Sequence, residues 1–505
     1  MSANLADYLR STAQRDPEGA GIVADGVTLT WAALDAAVDV FAAALVQRGL
    51  RPGDRVAMLL GNSREFVIAY YGVARAGLVC VPMNPAYTAA EVAVLLADSG
   101  ARLLLVQPST RATGEESAEA LPACEVLDVS GPEWRRLLAS GEGAPPTPVA
   151  TTDETLALLL FTAGTSGRPK GAMLTHGALR ANTEMLLALD APAAVVPQDV
   201  VLLVLPMFHV YGLNTGLGLA VAAGATLVLT DRFDPVETLE LVREHQVTSI
   251  PAAPAMFQAW CMVPDARAAL STVRLLSSGG SPLPIPVQER FAEHTGHAVY
   301  EGYGMTETAP VVATTLVSGV ARPGSVGRPL PGLEVRLMDD AGGEVDEGDP
   351  GELWVRGPSV FRGYWPRAEG GPDAEGWFHS GDIAYADESG DLHLVDRRRE
   401  VILVNGFNVY PREIELVIDQ MPGVAEAAVV GVPDDATGEA VMALVVPRPD
   451  ATITAADVED FCAGRLARFK CPTTIRVVPA LPHSATGKIA KGRLREVYGD
   501  AGYGS

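Results

Sequence analysis

Short apolar runs bounded by turn residues alternate with amphipathic stretches along most of this chain. The runs, each typical of a buried strand, are RVAMLL, LVCVPM, RLLLVQ, LALLLF, VLLVLP, TLVLT and TSIPAAP. Between them, TWAALDAAVDVFAAALVQRGL and AEVAVLLADSG have the apolar spacing of helices. Strand and helix in alternation predict an α/β fold with largely parallel sheets, whose strands are buried on both faces and therefore form continuous apolar runs.

The character of the sequence changes at two places toward the C-terminus. From about Gly332, shorter alternating segments and Gly/Asp turns in LEVRLMDDAGGEVDEGDPGELWVRGP predict a smaller antiparallel β unit. A second boundary is expected near VDRRRE (395–400), and the remaining stretch, about 105 residues, predicts a compact α+β module. The Pro-, Ala- and Gly-rich segment GEGAPPTPVATTDET (141–155) is interpreted as a linker.

Composition narrows the functional class. The chain has 505 residues, 48% of them apolar, which suffices for buried cores in about two to four domains. A net charge of −24 argues against a sequence-independent nucleic-acid binder, because phosphate neutralisation needs clustered Lys and Arg. No C-x-x-C pair occurs, so neither a zinc site nor a disulfide framework is indicated and a reducing cytoplasm is expected. The scattered cysteines are Cys80, Cys124, Cys261, Cys462 and Cys471.

No signal peptide or integral membrane segment is expected. The N-terminal MSANLADYLRSTAQRDP carries charges throughout and has no apolar core, so it does not indicate a signal peptide. The segment VYGLNTGLGLAVAAGATLVL (210–229) is long enough to span a bilayer, but Asn214, Thr215 and four glycines interrupt it. It is predicted to form a buried helix, a turn and a strand.

A loop rich in glycines and hydroxyls, FTAGTSGRPKGAMLTH (161–176), indicates a bound polyphosphate. Glycines let the backbone fold closely around an anion, the hydroxyls of Thr162, Thr165 and Ser166 can donate, and Lys170 adds a positive charge. The loop is not a Walker A motif, because the spacing from its glycines to Lys170 is wrong. An ordinary Gly/Ser/Thr surface turn is the alternative.

Three further stretches carry groups suited to a nucleotide. In YEGYGMTET, Thr306 can donate to a phosphate and Glu307 is a hard oxygen ligand for Mg²⁺. In GWFHSGDIAYADESGDLHLVDR, Asp382 can accept both hydroxyls of a ribose, with Arg397 further along. LPHSATGKIAKGRLRE places Lys488 after a tight turn. Taken singly, each also fits an ordinary helix start, turn aspartate or solvated lysine.

Together, and in this order, the four stretches resemble the adenylate-forming superfamily of acyl-CoA synthetases, aryl-CoA ligases, luciferases and peptide-synthetase adenylation domains. The resemblance covers essentially the whole chain. The matching motifs are TAGTSGRPKG, GYGMTE, GWFHSGD, DRRREVILVNGFNVYPREIE and SATGKIAKGRLR. One departure is Ala163, where the family more often has Ser or Thr.

The resemblance implies a particular fold. A large N-terminal domain, residues 1–397, would contain doubly wound α/β subdomains and a small distorted β-barrel, and would hold the acyl pocket and the ATP site. A small mobile α+β domain, residues 398–505, would follow as a lid that carries the catalytic lysine. The family's hinge position aligns with Arg399, where Asp or Lys is usual, and the neighbouring Arg398 leaves the assignment open by one residue.

The resemblance also implies a two-step reaction that uses ATP, Mg²⁺ and coenzyme A. A carboxylate attacks the α-phosphorus of MgATP to give an acyl-adenylate and pyrophosphate, and the thiol of coenzyme A then displaces AMP. Lys488, Thr306 and Glu307 would be catalytic, with Glu307 as the metal ligand. The implied ATP and AMP contacts are Thr162, Ala163, Gly164, Thr165, Ser166, Gly167, Lys170, Gly280, Glu301, Gly302, Tyr303, Thr306, Asp382, Arg397 and Lys488.

Between the two steps, the resemblance implies that the lid swings. Lys488 would leave the site, and a face carrying Gly406 and Phe407 would line the tunnel for the pantetheine arm of coenzyme A. A glycine suits that position because the thiol arm can pass close to the backbone.

The family's acyl pocket maps onto residues that include no Lys or Arg: His209, Val210, Tyr211, Asn214, Met256, Ser277, Gly279, Gly280, Gly302, Gly304, Pro310 and Val311. A second substrate carboxylate would be buried there without a partner, so dicarboxylates of the malonate type are disfavoured. His209 could gate the pocket or contact the substrate carboxylate, or could simply pack as a neutral side chain. A medium- or long-chain fatty acid is favoured. FHVYGLN also looks like the plant 4-coumarate ligase pattern, so a cinnamate- or benzoate-like acid is the alternative.

Other functions, within the family and outside it, stay open. A carrier protein could replace coenzyme A, and a luciferase-type reaction is compatible with the family. An amino-acid substrate is disfavoured, because no acidic partner for an α-ammonium lies near the pocket motifs. A non-catalytic nucleotide-binding module is the alternative from another class.

The expected partners are a small carboxylic acid, ATP and coenzyme A, with a lysine acetyltransferase and deacetylase acting on Lys488 as a regulatory hypothesis. A monomer and a homodimer are both compatible.

Overall fold

The structure is a computed structural model. It describes residues 3–119, 121–143, 149–162, 169–339, 341–397, 400–404, 407–434, 438–449, 451–463, 465–483 and 489–498. The contacts divide the chain into two compact units. The first unit comprises Met1–Val335 and Val355–Phe378, and the second comprises Arg336–Trp354 and His379–Ser505. The predicted domain boundary at residues 397 and 398 stays a prediction.

The strands are numbered along the chain. They are β1 (Ala20–Ala24), β2 (Val27–Thr30), β3 (Arg55–Leu59), β4 (Val79–Pro82), β5 (Leu103–Val106), β6 (Glu125–Asp128), β7 (Leu156–Thr162), β8 (Lys170–Thr175), β9 (Val200–Leu203), β10 (Thr226–Leu229), β11 (Ser249–Ala252), β12 (Leu275–Ser278), β13 (Tyr300–Gly304), β14 (Val311–Thr314), β15 (Arg328–Pro329), β16 (Glu334–Met338), β17 (Gly351–Arg356), β18 (Phe378–Ala386), β19 (Leu392–Arg397), β20 (Ile402–Val404), β21 (Phe407–Val409), β22 (Val424–Asp434), β23 (Gly438–Pro447) and β24 (Thr474–Val477).

The α-helices are numbered in the same way. They are α1 (Asp7–Arg15), α2 (Trp31–Gln47), α3 (Arg64–Arg75), α4 (Ala89–Ser99), α5 (Arg111–Ala118), α6 (Pro132–Gly141), α7 (His176–Leu187), α8 (Leu219–Ala223), α9 (Pro235–His245), α10 (Pro254–Trp260), α11 (Ala266–Ala269), α12 (Ile285–Thr295), α13 (Thr315–Ser318), α14 (Pro411–Ile418), α15 (Ala455–Ala463) and α16 (Lys491–Tyr498). The segment Tyr211–Gly218 is π-helical, and Leu270–Thr272, Thr306–Thr308 and Arg468–Lys470 are 3₁₀ turns.

The first unit contains two large sheets. One has nine strands in the order β15-β14-β13-β12-β11-β9-β10-β1-β2, and the other has six in the order β6-β5-β3-β4-β7-β8. Pairs from β13 through β12, β11, β9 and β10 to β1 are parallel, as are the pairs β6-β5, β5-β3, β3-β4 and β4-β7. Antiparallel strands close the ends, for example β8 against β7. The expectation of largely parallel sheets is confirmed.

The sequence-predicted strands become β3, β4, β5, β7, β9, β10 and β11. Residues of β3, β4 and β5 pack with Leu95 and Leu96 of α4 into one buried cluster. Helix α4 begins at a capping box between Thr88 and Glu91, and ends at Gly100, whose left-handed conformation suits glycine. Local capping and apolar periodicity therefore specify the same helix.

The segment 210–229 forms the π-helix, the short helix α8 and strand β10, which confirms the predicted helix, turn and strand. In the part of the chain that the structure describes, no helix is both long enough and apolar enough to cross a membrane.

The second unit contains a five-stranded sheet and most of a four-stranded one. The four-stranded sheet has the order β16-β17-β18-β19, and it corresponds to the smaller β unit expected after Gly332. The other sheet has the order β21-β20-β23-β22, with β24 pairing in parallel with β23. Helices α14 and α15 contribute Ile414, Ile418 and Val458 to its buried core, as an α+β module requires.

Candidate active site

The nucleotide motifs of the first unit lie where parallel strands end. Strands β12 and β13 pair in parallel, with Ser278 opposite Glu301, and Gly279 and Gly280 follow directly after β12. Gly280 has a φ of 85°, in the left-handed region that favours glycine. Ligands of open α/β sheets bind outside the carboxyl ends of the strands, so these positions fit a binding site.

The tight turn after β13 presents Thr306 and Glu307. A side chain at Gly304 would place its Cβ only 2.1 Å from the carbonyl oxygen of Pro310, so the close approach requires glycine. Thr306 and Glu307 are half-buried in a 3₁₀ turn that ends before Ala309. The turn also contacts β8 of the six-stranded sheet, which carries Lys170. The fold therefore brings the two predicted phosphate motifs together.

Two buried asparagines hold the chain on the C-terminal side of this turn. Asn182 of α7 donates to the carbonyl of Val311 at 2.8 Å and accepts from the N–H of the same residue at 3.2 Å. Asn214 of the π-helix donates to the carbonyls of Ala309 at 2.7 Å and Leu179 at 3.0 Å. The two carboxamides thus provide hydrogen-bond partners for backbone groups of Ala309 and Val311, which buried backbone groups require.

Asn214 has a structural role in addition to the predicted role in the acyl pocket. The carboxamide has two N–H donors, and both are directed at backbone carbonyls. Asn214 therefore belongs to the framework that supports the turn, and its contact with an acyl group stays a prediction.

The phosphate loop joins two antiparallel strands at the edge of the six-stranded sheet. Thr162 and Lys170 are opposite one another in the register of β7 and β8. The hydroxyl of Thr162 donates to the carbonyl of Lys170 at 3.4 Å, and the Lys170 side chain is exposed. The predicted loop contacts Ala163, Gly164, Thr165, Ser166 and Gly167 lie outside the described residues.

Tyr364 connects the lysine of this loop with the glutamate of the turn. Its hydroxyl donates to Glu307 Oε1 at 2.6 Å. Lys170 Nζ lies 5.1 Å from the centroid of the Tyr364 ring, within the range of a cation–π interaction. The backbone N–H of Phe361 also donates to the carbonyl of Glu307 at 2.8 Å. A cation, a phenol and a carboxylate from three separate parts of the sequence therefore form one cluster.

The chemistry of Glu307 fits a magnesium ion bound together with phosphates. Among the described residues, no group of three or more His, Cys, Asp or Glu side chains could hold a metal ion by itself. Mg²⁺ is usually bound through one or two carboxylates, substrate phosphates and water, and rarely by an all-protein cage. A single carboxylate beside the phosphate-loop lysine matches that pattern.

Most of the predicted acyl-pocket residues lie in or next to the π-helix or at the ends of β12 and β13, and Met256 lies on α10. The ring of Tyr211 lies against Gly279, where an added Cβ would come within 3.0 Å of it. Burial raises the pKa of Tyr211 to about 12, while its hydroxyl lies 3.5 Å from that of Ser277. Val210, Pro310 and Val311 are buried, and Met256 is half-buried. The assignment of these residues to an acyl pocket stays a prediction.

Two predicted residues have contacts that define their local roles. Nδ1 of His209 accepts the backbone N–H of Tyr211 at 3.3 Å, which places the proton of a neutral imidazole on Nε2. Glu301 is buried, and its Oε1 accepts the N–H of Leu283 at 2.9 Å. Glu301 therefore supports the loop after Gly280, and its contact with ATP stays a prediction. The neighbouring Gly302 is half-buried and Tyr303 is buried.

In the second unit, the predicted ribose residues Asp382 and Arg397 are cross-strand partners on β18 and β19. Asp382 is buried, and its N–H donates to the hydroxyl of Ser380 at 3.0 Å. Gly381 has a φ of 72°, so the predicted glycine turn precedes the aspartate. The two positions chosen from the sequence are therefore paired in the register of the sheet.

Several predicted residues of the lid cannot be placed. Gly406, Lys488 and the hinge residue Arg399 lie outside the described residues. The backbone of Phe407 begins β21, which pairs with β20. Their roles in binding coenzyme A, catalysis and hinge motion stay predictions.

Sequence reasoning missed Tyr364 and Asn182. Tyr364 lies in FRGYW, which has no phosphate or metal pattern, and Asn182 lies within an ordinary amphipathic helix. The one available signal was the polar residue Asn182 among apolar neighbours on α7, because a buried carboxamide needs partners.

The chain matches two family models. The AMP-binding enzyme model matches residues 9–365, and the AMP-binding enzyme C-terminal domain model matches residues 413–488. The phosphate-loop motif TAGTSGRPKG and the turn motif GYGMTE both fall within the first match.

Curated and solved proteins resemble the chain along nearly its whole length. A long-chain-fatty-acid–CoA ligase of Escherichia coli O157:H7 is 34% identical, over 98% of this chain and 94% of that protein. A feruloyl-CoA synthase of Amycolatopsis sp is 37% identical, over 96% of this chain and 97% of that protein. The crystal structure of ATP-bound MatB from Rhodopseudomonas palustris superposes with a TM-score of 0.92 at 35% identity, covering 99% of this chain and 100% of that one.

Proposed function

The chain belongs to the AMP-binding enzyme family and is an AMP-forming acyl-CoA ligase, and within this class we propose that it activates an apolar monocarboxylic acid. The favoured substrate is a medium- or long-chain fatty acid. Enzymes of this class use ATP, Mg²⁺ and coenzyme A. The Lys170–Tyr364–Glu307 cluster supports the ATP-dependent step, because it provides a cation for phosphate and a carboxylate suited to Mg²⁺. The choice of acid rests on the uncharged side chains of the predicted pocket.

The first step joins two anions, so the site must neutralise charge and align the reactants. An oxygen of the substrate carboxylate attacks the α-phosphorus, and the bond to the β,γ-pyrophosphate breaks. Thr162 and Lys170, together with Ser166, would hold the β- and γ-phosphates, and Thr306 would donate to the α-phosphate. Glu307 would hold Mg²⁺, which would neutralise phosphate charge when bound.

The second step transfers the acyl group to sulfur. The thiolate of coenzyme A attacks the acyl carbonyl carbon, and the carbon–oxygen bond to AMP breaks. In the proposal, Asp382 and Arg397 hold the ribose during both steps. Lys488 bridges the attacking carboxylate and the α-phosphate in the first step only, and Gly406 and Phe407 line the thiol's path in the second.

The absence of cationic side chains from the predicted pocket set supports an acid with an uncharged tail. Val210 and Val311 are buried, and Met256 packs against the apolar cluster of the nine-stranded sheet. A second carboxylate among such side chains would lose its hydration without gaining a partner, at a cost of several kcal/mol. We therefore place dicarboxylic acids last among the candidate substrates.

An aryl acid of the cinnamate or benzoate type is the second candidate. It is supported by the Tyr211 ring, which lies against Gly279 beside the end of β12. The face of an aromatic ring favours contact with the edge or the offset face of another ring.

Lid motion and regulation are part of the proposal. Residues 1–397 and 398–505 would be the domains, and Arg399 the hinge. The gap between the family matches, residues 366–412, includes this boundary. Acetylation of Lys488 by a lysine acetyltransferase would remove its charge and block the first step, and a deacetylase would restore it. Mass spectrometry that finds only unmodified Lys488 under acetylating conditions would count against this regulation.

Pyrophosphate release, measured with and without coenzyme A, tests the function. The acids are acetate, octanoate, palmitate, benzoate, 4-coumarate, malonate and several amino acids. We expect a coenzyme-A-dependent maximum on octanoate or palmitate, with the acyl-CoA detected as product. A maximum on an aryl acid would select the second candidate, and a maximum on malonate or silence on every acid would refute the proposal.

A Lys488→Ala variant tests the assigned chemistry. Adenylate formation should be lost, because no other charge would bridge the two reacting anions. Thioester formation from preformed acyl-adenylate should continue at a rate close to that of the wild type. Undiminished adenylate formation in this variant would refute the role of Lys488.

A further inference from the structure

We propose that Tyr364 is a positioning residue that orients the Glu307 carboxylate for Mg²⁺ and the Lys170 ammonium for the ATP phosphates. The inference rests on the proposed function, since it assumes that these two side chains meet MgATP. Tyr364 lies outside the five sequence motifs that resemble the adenylate-forming superfamily.

The backbone around Tyr364 is fixed to strand β8. The N–H of Arg362 donates to the carbonyl of Met173 at 3.0 Å, and the N–H of Met173 donates to the carbonyl of Gly363 at 3.1 Å. The N–H of Trp365 donates to the carbonyl of Gly171 at 2.8 Å. The Tyr364 side chain therefore starts from a backbone that is bonded to the strand on which Lys170 lies.

The ring of Tyr364 is also held from the side. Its centroid lies 5.0 Å from that of Phe361 at an interplanar angle of 74°, the edge-to-face arrangement that aromatic pairs prefer. Phe361 makes the same type of contact with Phe378 and is itself buried. The phenol is thus an extension of a packed aromatic cluster, which limits the rotamers it can adopt.

The hydroxyl acts on Glu307 in a way that suits a metal ligand. A phenol O–H is a neutral donor, so the 2.6 Å hydrogen bond fixes one carboxylate oxygen while the negative charge is retained. A direct ion pair with a lysine would instead compete with the metal for that charge. Hydrogen bonds to ligating carboxylates typically strengthen metal affinity by about 10- to 100-fold.

The face of the same ring acts on Lys170. Its exposed ammonium lies 5.1 Å from the ring centroid, where the negative face of a phenol attracts a cation. This attraction restricts a flexible side chain without using any of its N–H donors, so all three stay available for phosphate oxygens. One side chain thereby sets the positions of two groups of opposite charge.

The first unit offers a matched control. Tyr8 donates its hydroxyl to Glu184 Oε1 at 2.7 Å, and Arg180 lies 5.7 Å from the centroid of its ring. This cluster repeats the phenol, carboxylate and cation of the site, but none of its members belongs to a nucleotide motif. Tyr8→Phe therefore removes the same kind of hydrogen bond elsewhere in the fold.

The test is calorimetric titration of ATP into the wild type, Tyr364→Phe, Tyr364→Leu and Tyr8→Phe, each with Mg²⁺ and with EDTA. Tyr364→Phe keeps the ring, so affinity in Mg²⁺ should fall about 10-fold while affinity in EDTA stays unchanged. Tyr364→Leu should weaken binding in both conditions. Tyr8→Phe should match the wild type in both. Thermal melting of each variant reports whether it is folded.

The outcomes separate the two proposals. If the wild type binds MgATP and Tyr364→Phe binds it equally well, the positioning role is overturned and the proposed function stands. An equal loss of affinity in Mg²⁺ and EDTA for Tyr364→Phe would also overturn it, because it would indicate general structural damage. If the wild type binds no ATP and releases no pyrophosphate with any acid, both proposals fail.

Discussion

The carboxamide of Asn214 donates to the carbonyl oxygen of Ala309 over 2.7 Å and joins the π-helix to the turn of Thr306 and Glu307. Ala309 has a φ of 65°, a left-handed conformation that is uncommon for a residue with a side chain. Such conformations cost about 1–3 kcal/mol each and persist only when neighbouring structure holds them. Asn214 supplies part of that support from 95 residues away in the sequence.

We predict that Asn214→Asp destabilises the protein and reduces pyrophosphate release. The substitution keeps the shape of the side chain but replaces two N–H donors with an oxygen that repels the carbonyls of Leu179 and Ala309. Loss of two buried hydrogen bonds should lower the free energy of unfolding by about 3 kcal/mol. Urea unfolding and pyrophosphate release measure the two effects.

Asn84→Asp is the control for this substitution. Asn84 is buried as well, but its Oδ1 accepts the N–H of Ala86 at 2.9 Å, and an aspartate can still accept it. We expect a smaller loss of stability than for Asn214→Asp. Equal urea midpoints for Asn214→Asp and the wild type would contradict the supporting role.

A second prediction concerns stability at acidic pH. His176 is buried, its Nδ1 accepts the N–H of Leu5 at 3.1 Å, and burial, followed by the charge of Arg180, lowers its pKa to about 4. The unfolded chain, with a histidine pKa of about 6.5, binds a proton more readily. Stability is therefore complete above about pH 6.5 and falls as the pH drops to about 4, by roughly 3 kcal/mol from this residue.

The His176→Asn variant isolates this contribution. Asparagine can keep the acceptor for the N–H of Leu5 but does not titrate in this range. Urea midpoints measured between pH 4 and pH 7 should decline less steeply in the variant than in the wild type. Parallel pH profiles for the two proteins would show that His176 does not carry the effect.

The third prediction concerns Asp419, whose contribution to stability changes with pH in the opposite direction to that of His176. Burial raises the pKa of Asp419 to about 6, the nearby Arg412 opposes the shift, and Glu415 and Glu426 add to it. The folded state holds its proton more tightly than the unfolded state, so stability falls as the pH rises from about 4 to 6. Asp419→Asn should therefore stabilise the protein at pH 7, by about 1–2 kcal/mol after solvent screening, and have no effect near pH 3.

Asp457→Asn provides the contrasting control in the same unit. Hydrogen bonds from the hydroxyl and N–H of Thr454 lower the pKa of Asp457. This carboxylate stabilises the folded state above its unfolded pKa, and the contribution is lost as the pH falls. The variant should be less stable than the wild type at pH 7. If both aspartate variants shift the urea midpoint in the same direction at pH 7, the assignment for Asp419 is wrong.

The fourth prediction concerns the acyl pocket. A Cβ at Gly279 would lie 3.0 Å from the Tyr211 ring, closer than ordinary van der Waals contact, so Gly279→Ala must displace the ring. We expect kcat/KM to fall more for palmitate and 4-coumarate than for acetate. Adding Tyr211→Leu to Gly279→Ala should restore part of the activity on the larger acids. A uniform loss over all acids would argue against a pocket at this position.

Much of the fold was predictable because local chemistry specifies it. The apolar runs that became β3, β4 and β5 are buried on both faces, as parallel strands require. Asp382 and Arg397 were chosen as candidate ribose contacts because each lies in a motif, and that role stays a prediction. Their cross-strand pairing was not predictable, because it depends on the register of β18 and β19. Lys170 was likewise chosen as a candidate phosphate contact because it lies in a motif.

The features that could not be predicted depend on contacts between residues that are distant in the sequence. The π-helix over Tyr211–Gly218 has no sequence period of its own that separates it from an α-helix, and Asn214 acquires its role only through carbonyls of other elements. Tyr364 meets Glu307 across 57 residues of sequence because its segment is bonded to β8. No local pattern in FRGYW encodes that partner.

The bonding of residues 362–365 to β8 has a consequence for solubility. Strand β8 is the last strand of its sheet, and an uncovered strand edge can pair with another chain and seed aggregation. Arg362, Gly363 and Trp365 cover part of that edge with backbone hydrogen bonds. Substitutions that loosen this segment should therefore lower the yield of soluble protein as well as its activity. The same few residues would both protect a strand edge from aggregation and hold Tyr364 in place.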